Sequence, residues 1–207
     1  MTKCILIGSA PFNNINAFNE LDWEHSYVIC ADGGVDTALK YKKSPDLIIG
    51  DFDSIRGKLP DAIETIKLDV EKDDTDMMAA IRIALERGFT DFTLIGVLGG
   101  RFDHSIANLC VMQYLASRSC KAVMIGQDCR VFLLNGGELE LKGLKDNTVS
   151  VFPYGMKSCT VSYSGLYYPL MQATLTSDNP LGVSNKIIDD NALITLHSGN
   201  ALIIIMT

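Results

Sequence analysis

The chain has 207 residues, of which 47% are hydrophobic and 21% charged, enough for one large domain or two small ones with packed cores. Its formal net charge of −7 disfavours binding to nucleic acid, because the phosphate backbone would be repelled. No apolar run approaches the roughly 20 residues that span a bilayer, and dispersed cysteines without a C-x-x-C pair favour reduced thiols in the cytoplasm.

Apolar runs of strand length alternate with helical patterns over the first two-thirds of the chain. The predicted strands cover residues 3–10, 26–32, 46–50, 91–99 and 121–126, and the predicted helices cover 34–43, 73–88 and 103–117. Continuous apolar strands separated by helices indicate a parallel sheet with both faces covered. Residues 1–130 are therefore predicted to form an α/β domain.

The pattern changes after about residue 130. Short β-rich segments follow one another with Gly, Ser and Asn between them, beginning with two strands around the Asn-Gly-Gly turn at 135–137. Residues 131–207 are predicted to form a smaller all-β domain, a sandwich. The predicted fold class is thus α/β, with a parallel-sheet N-terminal nucleotide domain and a C-terminal all-β sandwich.

Acidic or glycine-rich clusters fall at the strand-to-helix junctions of the first domain. They are "ADGG" (31–34), "GDFDS" (50–54), "KDDTD" (72–76) and "LGGRFDH" (98–104). In an open parallel sheet the loops at the carboxyl ends of the strands form the ligand crevice. We therefore expect the clusters to converge.

The carboxylates of these clusters predict a Mg²⁺ site. Asp51 and Asp53 are two residues apart in an extended segment, so both side chains can face one point. Two such carboxylates repel each other unless a cation lies between them, and Mg²⁺ prefers carboxylate, phosphate and water oxygens. Asp76 is a further candidate ligand or a base. The alternative is that these aspartates cap a turn or a helix and are otherwise solvated.

The glycine-rich cluster could supply phosphate contacts. Gly99 and Gly100 allow close backbone approach near a helix N-terminus, and Arg101 offers a cationic fork. A tight turn with an exposed arginine is the alternative, and His104 could donate a hydrogen bond or be structural. Asp32 could recognise a ribose hydroxyl or an amine, or belong to a simple turn. Because the sequence contains neither G-x-x-x-x-G-K-[ST] nor G-x-G-x-x-G, a bound nucleotide would need a different framework.

These clusters, in this order and spacing, resemble the thiamine pyrophosphokinase (thiamin diphosphokinase) family. The motifs that carry the resemblance are "ADGG", "LIIGDFDS", "KDDTDMMAAI", "LGGRFDHSIANL", "GLYYPL" (165–170) and "GVSN" (182–185). The resemblance implies transfer of a pyrophosphoryl group from ATP to the hydroxyl of thiamine, giving thiamine diphosphate and AMP, with Mg²⁺ held by a carboxylate cluster. It also implies a homodimer with sites at the interface, an ATP-binding catalytic domain (1–130) and a thiamine-binding and dimerisation domain (131–207).

The resemblance assigns roles to individual residues. The metal ligands and catalytic residues would be Asp51, Asp53 and Asp76. The residues around ATP would be Asp32, Gly33, Gly34, Thr75, Gly99, Gly100, Arg101, Asp103, His104 and Asn108. The residues that meet thiamine would be Tyr168, Ser184 and Asn185.

Other functions remain open at the level of the sequence. The D-x-D pair of "DFDSI" also suits a phosphatase with an aspartate nucleophile, although the pair follows the third strand rather than the first. A glycosyltransferase-like enzyme could use D-x-D to hold a metal and a sugar nucleotide. A third alternative is a sensor that binds a nucleotide without turnover.

Overall fold

The computed structural model describes residues 2–52, 63–69, 71 and 73–207. The chain divides into two compact units, Met1–Gln127 and Asp128–Thr207. Asp53, one of the predicted metal ligands, lies outside the described residues.

The first unit is built on a parallel sheet. Its strands are β1 (Lys3–Ile7), β2 (Ser26–Ala31), β3 (Leu47–Gly50), β4 (Glu64–Lys67), β5 (Asp91–Ile95) and β6 (Lys121–Ile125). Within the described residues their order is β6-β5-β1-β2-β3-β4, and each neighbouring pair is parallel. The short, mostly exposed edge strand β4 is not predicted by the sequence, because "ETIK" has no continuous apolar run.

The helices of this unit are α1 (Ile15–Asn19), α2 (Gly34–Lys40), α3 (Asp76–Glu86) and α4 (Phe102–Ala116). The five-residue helix α1 is too short for a helical period and is absent from the predicted elements. Thr75 is the N-cap of α3, since its hydroxyl oxygen accepts a hydrogen bond of 3.2 Å from the N–H of Met78. The buried face of α3 includes Ala80 and Ile81, as the apolar period predicts.

The sheet is buried on both faces. Leu6 and Ile7 are consecutive on β1, so their side chains point to opposite faces, and both are fully buried. Ile48 and Ile49 on β3 show the same pattern. This is the burial that continuous apolar strands predict for a parallel sheet.

The sheet has a topological switch point between β1 and β5. From β1 the chain builds outward through β2, β3 and β4 on one side, and later through β5 and β6 on the other. Gly8 and Gly96 follow these two strands, and a Cβ on Gly8 would lie 2.5 Å from the Gly96 carbonyl oxygen. Ligand crevices of open α/β sheets form at this position, outside the carboxyl ends of the strands.

The second unit consists of two antiparallel sets of strands. The first set is β7 (Cys129–Leu134), β9 (Thr148–Pro153), β12 (Asn185–Lys186) and β14 (Ala201–Met206), and the second is β8 (Gly137–Glu140), β10 (Ser158–Ser164), β11 (Leu170–Thr176) and β13 (Leu193–Ser198). Within this unit their orders are β12-β9-β14-β7 and β11-β10-β13-β8. Alternate side chains of both sets, including Val149, Ile203, Val161 and Ile194, share one buried core.

The Asn-Gly-Gly turn at 135–137 connects the two sets. The predicted strands on either side of it are present as β7 and β8, but they pair with β14 and β13 rather than with each other. The turn is therefore a corner at which the chain passes from one set of strands to the other. Gly136 and Gly137 have φ values of +96° and +84°, which glycine adopts without strain. The structure confirms the predicted fold class, a parallel α/β unit followed by a β-sandwich. Among the described residues, no helix has the length and apolar character needed to cross a membrane.

Candidate active site

A cavity of about 510 Å³ opens in the first unit at the carboxyl ends of its strands. Acidic and hydroxyl residues from the predicted clusters line it: Asp32, Asp51, Thr75 and Asp76. Asp32 follows β2, Asp51 follows β3, and Thr75 and Asp76 begin α3. The structure therefore brings together carboxylates that are up to 44 positions apart in the sequence.

The glycine-rich cluster forms another part of the same wall, through Gly99, Gly100, Arg101, His104 and Asn108. Of the predicted nucleotide residues that the structure describes, Gly33, Gly34 and Asp103 are not on the wall. Gly34 has a packing reason instead, because a Cβ there would lie 2.0 Å from the carbonyl oxygen of Ile7. This glycine lets α2 begin directly against β1.

Asp32 is a buried acidic residue on the cavity wall. It is 8% exposed and has a positive φ of 48°. Its N–H donates a hydrogen bond of 2.7 Å to the carbonyl oxygen of Ile49, which fixes its backbone beside β3. Among the described residues, none forms a hydrogen bond with Oδ1 of Asp32. Because a buried carboxylate oxygen without a partner is costly, this atom is well suited to a ligand donor or a cation.

The three aspartates of "KDDTD" have different surroundings. Arg82 donates hydrogen bonds of 2.7 and 3.4 Å to the two carboxylate oxygens of Asp74, which lies on the cavity wall. The charge of Asp74 is thereby compensated, and the same pair raises the pKa of Arg82. Asp76 lies on the wall at the first residue of α3, whereas Asp73 is not among the residues on the wall.

Arg101 is engaged within its own motif. Its guanidinium donates hydrogen bonds of 3.1 and 2.6 Å to the two carboxylate oxygens of Asp103. This contact lowers the pKa of the Asp103 carboxyl to about 2. Both side chains are well exposed, so the pair is easily opened and a stronger anion can compete for the guanidinium.

Side chains of α4 hold the glycine-rich loop in place. The N–H of Gly99 donates a hydrogen bond of 3.2 Å to the hydroxyl oxygen of Ser105, and the amide nitrogen of Asn108 donates one of 2.8 Å to the carbonyl oxygen of Val97. The φ values of Gly99 and Gly100 are +86° and +66°. Both glycines therefore adopt the left-handed conformation that a close backbone approach often requires.

One segment of the wall lies outside the clusters predicted from the sequence. Gly8, Ser9, Ala10 and Pro11 line the cavity directly after β1. The predicted strand at 3–10 includes the first three of these residues, whereas β1 ends at Ile7. The segment carries no charge, so acidic and basic clusters do not mark it.

A metal site is not complete in the described residues. They contain no group of three or more His, Cys, Asp and Glu side chains that could hold a metal ion. Mg²⁺ commonly takes only one or two protein carboxylates, with phosphate and water oxygens completing its coordination. The donor set on the wall, together with the buried Oδ1 of Asp32, therefore fits a cation shared with a polyphosphate.

A second cavity, of about 490 Å³, lies within the second unit. Its wall is mainly apolar and includes Tyr163, Tyr168, Leu170, Leu181, Val183 and Asn185. Two of the three predicted thiamine residues, Tyr168 and Asn185, are on this wall. Ser184 is not on the wall, although its neighbours are; its φ is +58° and its N–H donates a hydrogen bond of 3.0 Å to the hydroxyl oxygen of Ser150.

Asn185 is one of the few buried polar residues, at 5% exposure. Its Oδ1 accepts hydrogen bonds from the N–H groups of Tyr168 (3.0 Å) and Lys186 (2.9 Å), and its Nδ2 donates one of 2.8 Å to the carbonyl oxygen of Tyr168. The side chain of Asn185 is thus committed to the backbone, whereas the ring of Tyr168 is 64% exposed.

The fold and the two cavities together define a class of protein. It has an α/β unit with a polar cavity at its switch point, followed by a β-sandwich with an apolar cavity. Residues 18–124 match the model of the thiamin pyrophosphokinase catalytic domain, and residues 138–202 match the model of the thiamin pyrophosphokinase vitamin B1 binding domain. The chain belongs to the thiamin pyrophosphokinase family, as its motifs predict, and is therefore an enzyme.

Individual relatives agree with this assignment over almost the whole chain. The chain is 26% identical over 205 residues to thiamine pyrophosphokinase of Bacillus subtilis, covering 96% of both proteins. It is 28% identical over 218 residues to thiamine pyrophosphokinase 1 of Arabidopsis thaliana, covering 90% of this chain and 80% of the relative.

Solved structures share the fold. The crystal structure of thiamine pyrophosphokinase from Bacillus subtilis superposes with a TM-score of 0.88 and 23% identity, covering 99% of both chains. Thiamin pyrophosphokinase from Candida albicans superposes with a TM-score of 0.80 and 17% identity, covering 99% of this chain and 89% of the other.

Proposed function

We propose that this chain transfers a pyrophosphoryl group from ATP to the hydroxyl of thiamine, giving thiamine diphosphate and AMP. Membership of the family supports the reaction. The single observation that carries the residue assignment is the shared cavity, in which Asp32, Asp51 and Asp76 meet the glycine-rich loop. The division of labour proposed for the chain is a catalytic domain at 1–130 and a thiamine-binding and dimerisation domain at 131–207.

We assign ATP to the cavity of the first unit. Its volume falls within the range of about 300–1,000 Å³ that is typical of small-molecule sites. The loops after β1 and β5 approach each other through Gly8 and Gly96, so their backbones can lie close to phosphate oxygens. Arg101 would leave Asp103 for the triphosphate, whose higher charge makes it the stronger partner.

We assign Mg²⁺ to Asp51, Asp53 and Asp76. The positions of Asp51 and Asp76 on one wall support this, and Asp53 lies outside the described residues. A bound Mg²⁺ would neutralise the triphosphate and stabilise the charge that develops on the departing oxygen.

The chemical step is a displacement at the β-phosphorus of ATP. The hydroxyl oxygen of thiamine forms a new bond to this phosphorus, the bond to the bridging oxygen between the α- and β-phosphates breaks, and AMP departs with that oxygen. The proton of the hydroxyl passes to a carboxylate, for which Asp76 is the proposed acceptor. Holding the two substrates in line provides most of the remaining acceleration.

We assign thiamine to the apolar cavity of the second unit. Thiamine is a cation with two flat rings, and the exposed face of Tyr168 can stack on such a ring. The net charge of −7 favours a cationic substrate over a neutral one. Asn185 would act by fixing the position of Tyr168. Ser184 would act through its backbone conformation, which sets the path of the chain from Val183 to Asn185.

We also propose a homodimer with its sites at the interface between the copies. The support is a set of large apolar side chains of the second unit that are about half to almost fully exposed: Tyr167, Tyr168, Met171, Leu181, Val183 and Ile188. A second copy of the chain would cover them. The cytoplasmic location that the sequence predicts stays a prediction.

The decisive experiment is incubation of the protein with ATP, Mg²⁺ and thiamine, followed by measurement of AMP and thiamine diphosphate. Asp51→Asn, Asp53→Asn and Asp76→Asn should each lose at least about 100-fold in kcat while remaining folded, and added Mg²⁺ should not restore them. Asp178→Asn, an exposed change in the second unit, is the matched control for loss of one negative charge.

Three results would contradict the proposal. Full turnover in the Asp51 and Asp76 variants would remove the metal assignment. A trapped phospho-aspartate, or activity on a sugar nucleotide without activity on thiamine, would replace the reaction itself. Tight ATP binding without turnover would instead support a sensor.

A further inference from the structure

The wall of the apolar cavity in the second unit includes Tyr163, which is 4% exposed and whose hydroxyl has no role in the family assignment. Among the described residues, none forms a hydrogen bond with the Tyr163 hydroxyl. Phenylalanine would fill the same space without burying an unsatisfied polar group, so the hydroxyl is a cost to folding that a ligand could offset.

A β-bulge lies next to Tyr163. Val161 of β10 pairs with Ala173 of β11, whereas Tyr163 pairs with Leu170, so β11 carries one extra residue at this point. Gln172 in this bulge has a φ of +47°, and its N–H donates a hydrogen bond of 2.9 Å to the hydroxyl oxygen of Ser162. Bulges redirect neighbouring side chains, and this one lies beside the cavity wall.

Tyr163 is a hydrogen-bond donor throughout the physiological pH range. Burial raises the pKa of its hydroxyl far above the ordinary value, and the nearby Cys159 raises it further. The ring therefore presents a neutral O–H group. A neutral phenol can donate and accept, but its O–H hydrogen is satisfied only by an acceptor on the ligand, and the mainly apolar wall suits an acceptor on a weakly polar group.

We infer that Tyr163 is a specificity residue of this cavity, whose hydroxyl donates a hydrogen bond to a ring nitrogen of the aminopyrimidine of thiamine. The inference rests on the proposed function for the identity of the substrate. Thiamine offers two ends to such a cavity. The thiazolium ring is a permanent cation and carries the hydroxyethyl group that must reach ATP, whereas the aminopyrimidine is flat, neutral and bears acceptor nitrogens.

The test combines a variant with substrate analogues. Tyr163→Phe should raise the KM for thiamine about five- to tenfold, with the KM for ATP unchanged. Two thiamine analogues, in each of which one pyrimidine ring nitrogen is replaced by C–H, are compared on both proteins. For the wild-type chain, the KM for one of the analogues should be about five- to tenfold higher than the KM for thiamine. For Tyr163→Phe, the KM values for that analogue and for thiamine should be similar.

Tyr27→Phe provides the matched control. The Tyr27 hydroxyl accepts a hydrogen bond of 2.6 Å from Arg87 in the first unit, so its loss removes a satisfied phenol away from both cavities. Tyr27→Phe should lower the melting temperature and leave the KM for thiamine unchanged. Tyr163→Phe should raise the KM for thiamine without lowering the melting temperature, because none of the described residues forms a hydrogen bond with the Tyr163 hydroxyl.

The outcomes separate the two proposals. If the wild-type chain converts thiamine but accepts both analogues as well as thiamine, the role of Tyr163 is wrong and the proposed function stands. An unchanged KM in a folded Tyr163→Phe variant leads to the same conclusion. If the wild-type chain does not convert thiamine, both proposals fail together. The analogue comparison on the wild-type chain does not depend on the folding of any variant.

Discussion

Asn185 holds the backbone of Tyr168 from both sides, accepting a hydrogen bond from its N–H and donating one to its carbonyl oxygen. The two residues are 17 positions apart, and the same side chain also accepts from the N–H of Lys186. A single buried amide therefore fixes the segment from which the exposed ring of Tyr168 projects. We therefore propose that Asn185 acts as a positioning residue for Tyr168.

Asn185→Ala should separate stability from substrate binding in a measurable way. It leaves buried backbone groups without partners, so the free energy of unfolding should fall by about 2–3 kcal/mol, and the KM for thiamine should rise about tenfold as Tyr168 loses its fixed position. Urea denaturation and steady-state kinetics measure the two effects. The exposed Asn191→Ala is the control, and a destabilised Asn185→Ala enzyme with an unchanged KM would contradict the positioning role.

The pair formed by Asp74 and Arg82 predicts a charge effect on ATP binding. Both side chains are partly exposed, so breaking the pair should change the free energy of unfolding only slightly. Arg82→Gln leaves Asp74 uncompensated on the cavity wall and should raise the KM for ATP about threefold at low salt. Asp74→Asn should lower the KM for ATP. The double variant, with Arg82→Gln and Asp74→Asn, should have a KM for ATP close to that of the wild-type chain. Equal KM values in all four proteins would remove Asp74 from the electrostatics of the site.

Gly34→Ala tests the close contact between α2 and β1. The new Cβ would lie 2.0 Å from the carbonyl oxygen of Ile7, and neither backbone segment can move without disturbing the sheet. The free energy of unfolding should fall by at least about 3 kcal/mol. Gly136→Ala is a useful contrast, because nothing lies within 4 Å of its Cβ and only the positive φ is unfavourable. Gly34 has no positive φ, so similar losses in the two variants would show that small shifts relieve the short contact at Gly34 and that it costs no more than an unfavourable φ.

The contact between Arg101 and Asp103 predicts a titration. The folded chain favours ionised Asp103, so the contribution of this pair to stability is complete above pH of about 4. It is lost as the pH falls toward the lowered pKa of about 2. Arg101→Gln should return the pKa of Asp103 to the ordinary range, as carboxyl chemical shifts in NMR titrations would reveal. An unchanged low pKa in that variant would assign the shift to another cause.

The site was predictable from the sequence where its signals are local. Three of the four clusters follow a strand that the apolar pattern marks, and the rule for parallel sheets sends such loops to one edge. The positions of Asp32, Asp51 and Arg101 on the cavity wall follow in this way, whereas Asp76 was singled out by its acidic cluster, because β4 before it has no apolar signal. The segment at 8–11 was not predicted as part of the wall, because it carries no charge. The Asp74–Arg82 pair was not predicted either, because it depends on where the side chain of Arg82 lies on α3.

The sequence by itself determined the described strands and helices of the first unit except α1 and β4, the change to an all-β unit and the acidic clusters, since each follows from the periodicity or composition of neighbouring residues. Only the tertiary structure decided the switch point between β1 and β5, the assignment of β7 and β8 to separate sheets, the partners of Arg101 and Asn185, and the unsatisfied hydroxyl of Tyr163 among the described residues. These depend on which segments pack together, and pairing between distant segments is set by burial and backbone hydrogen bonds across the whole fold.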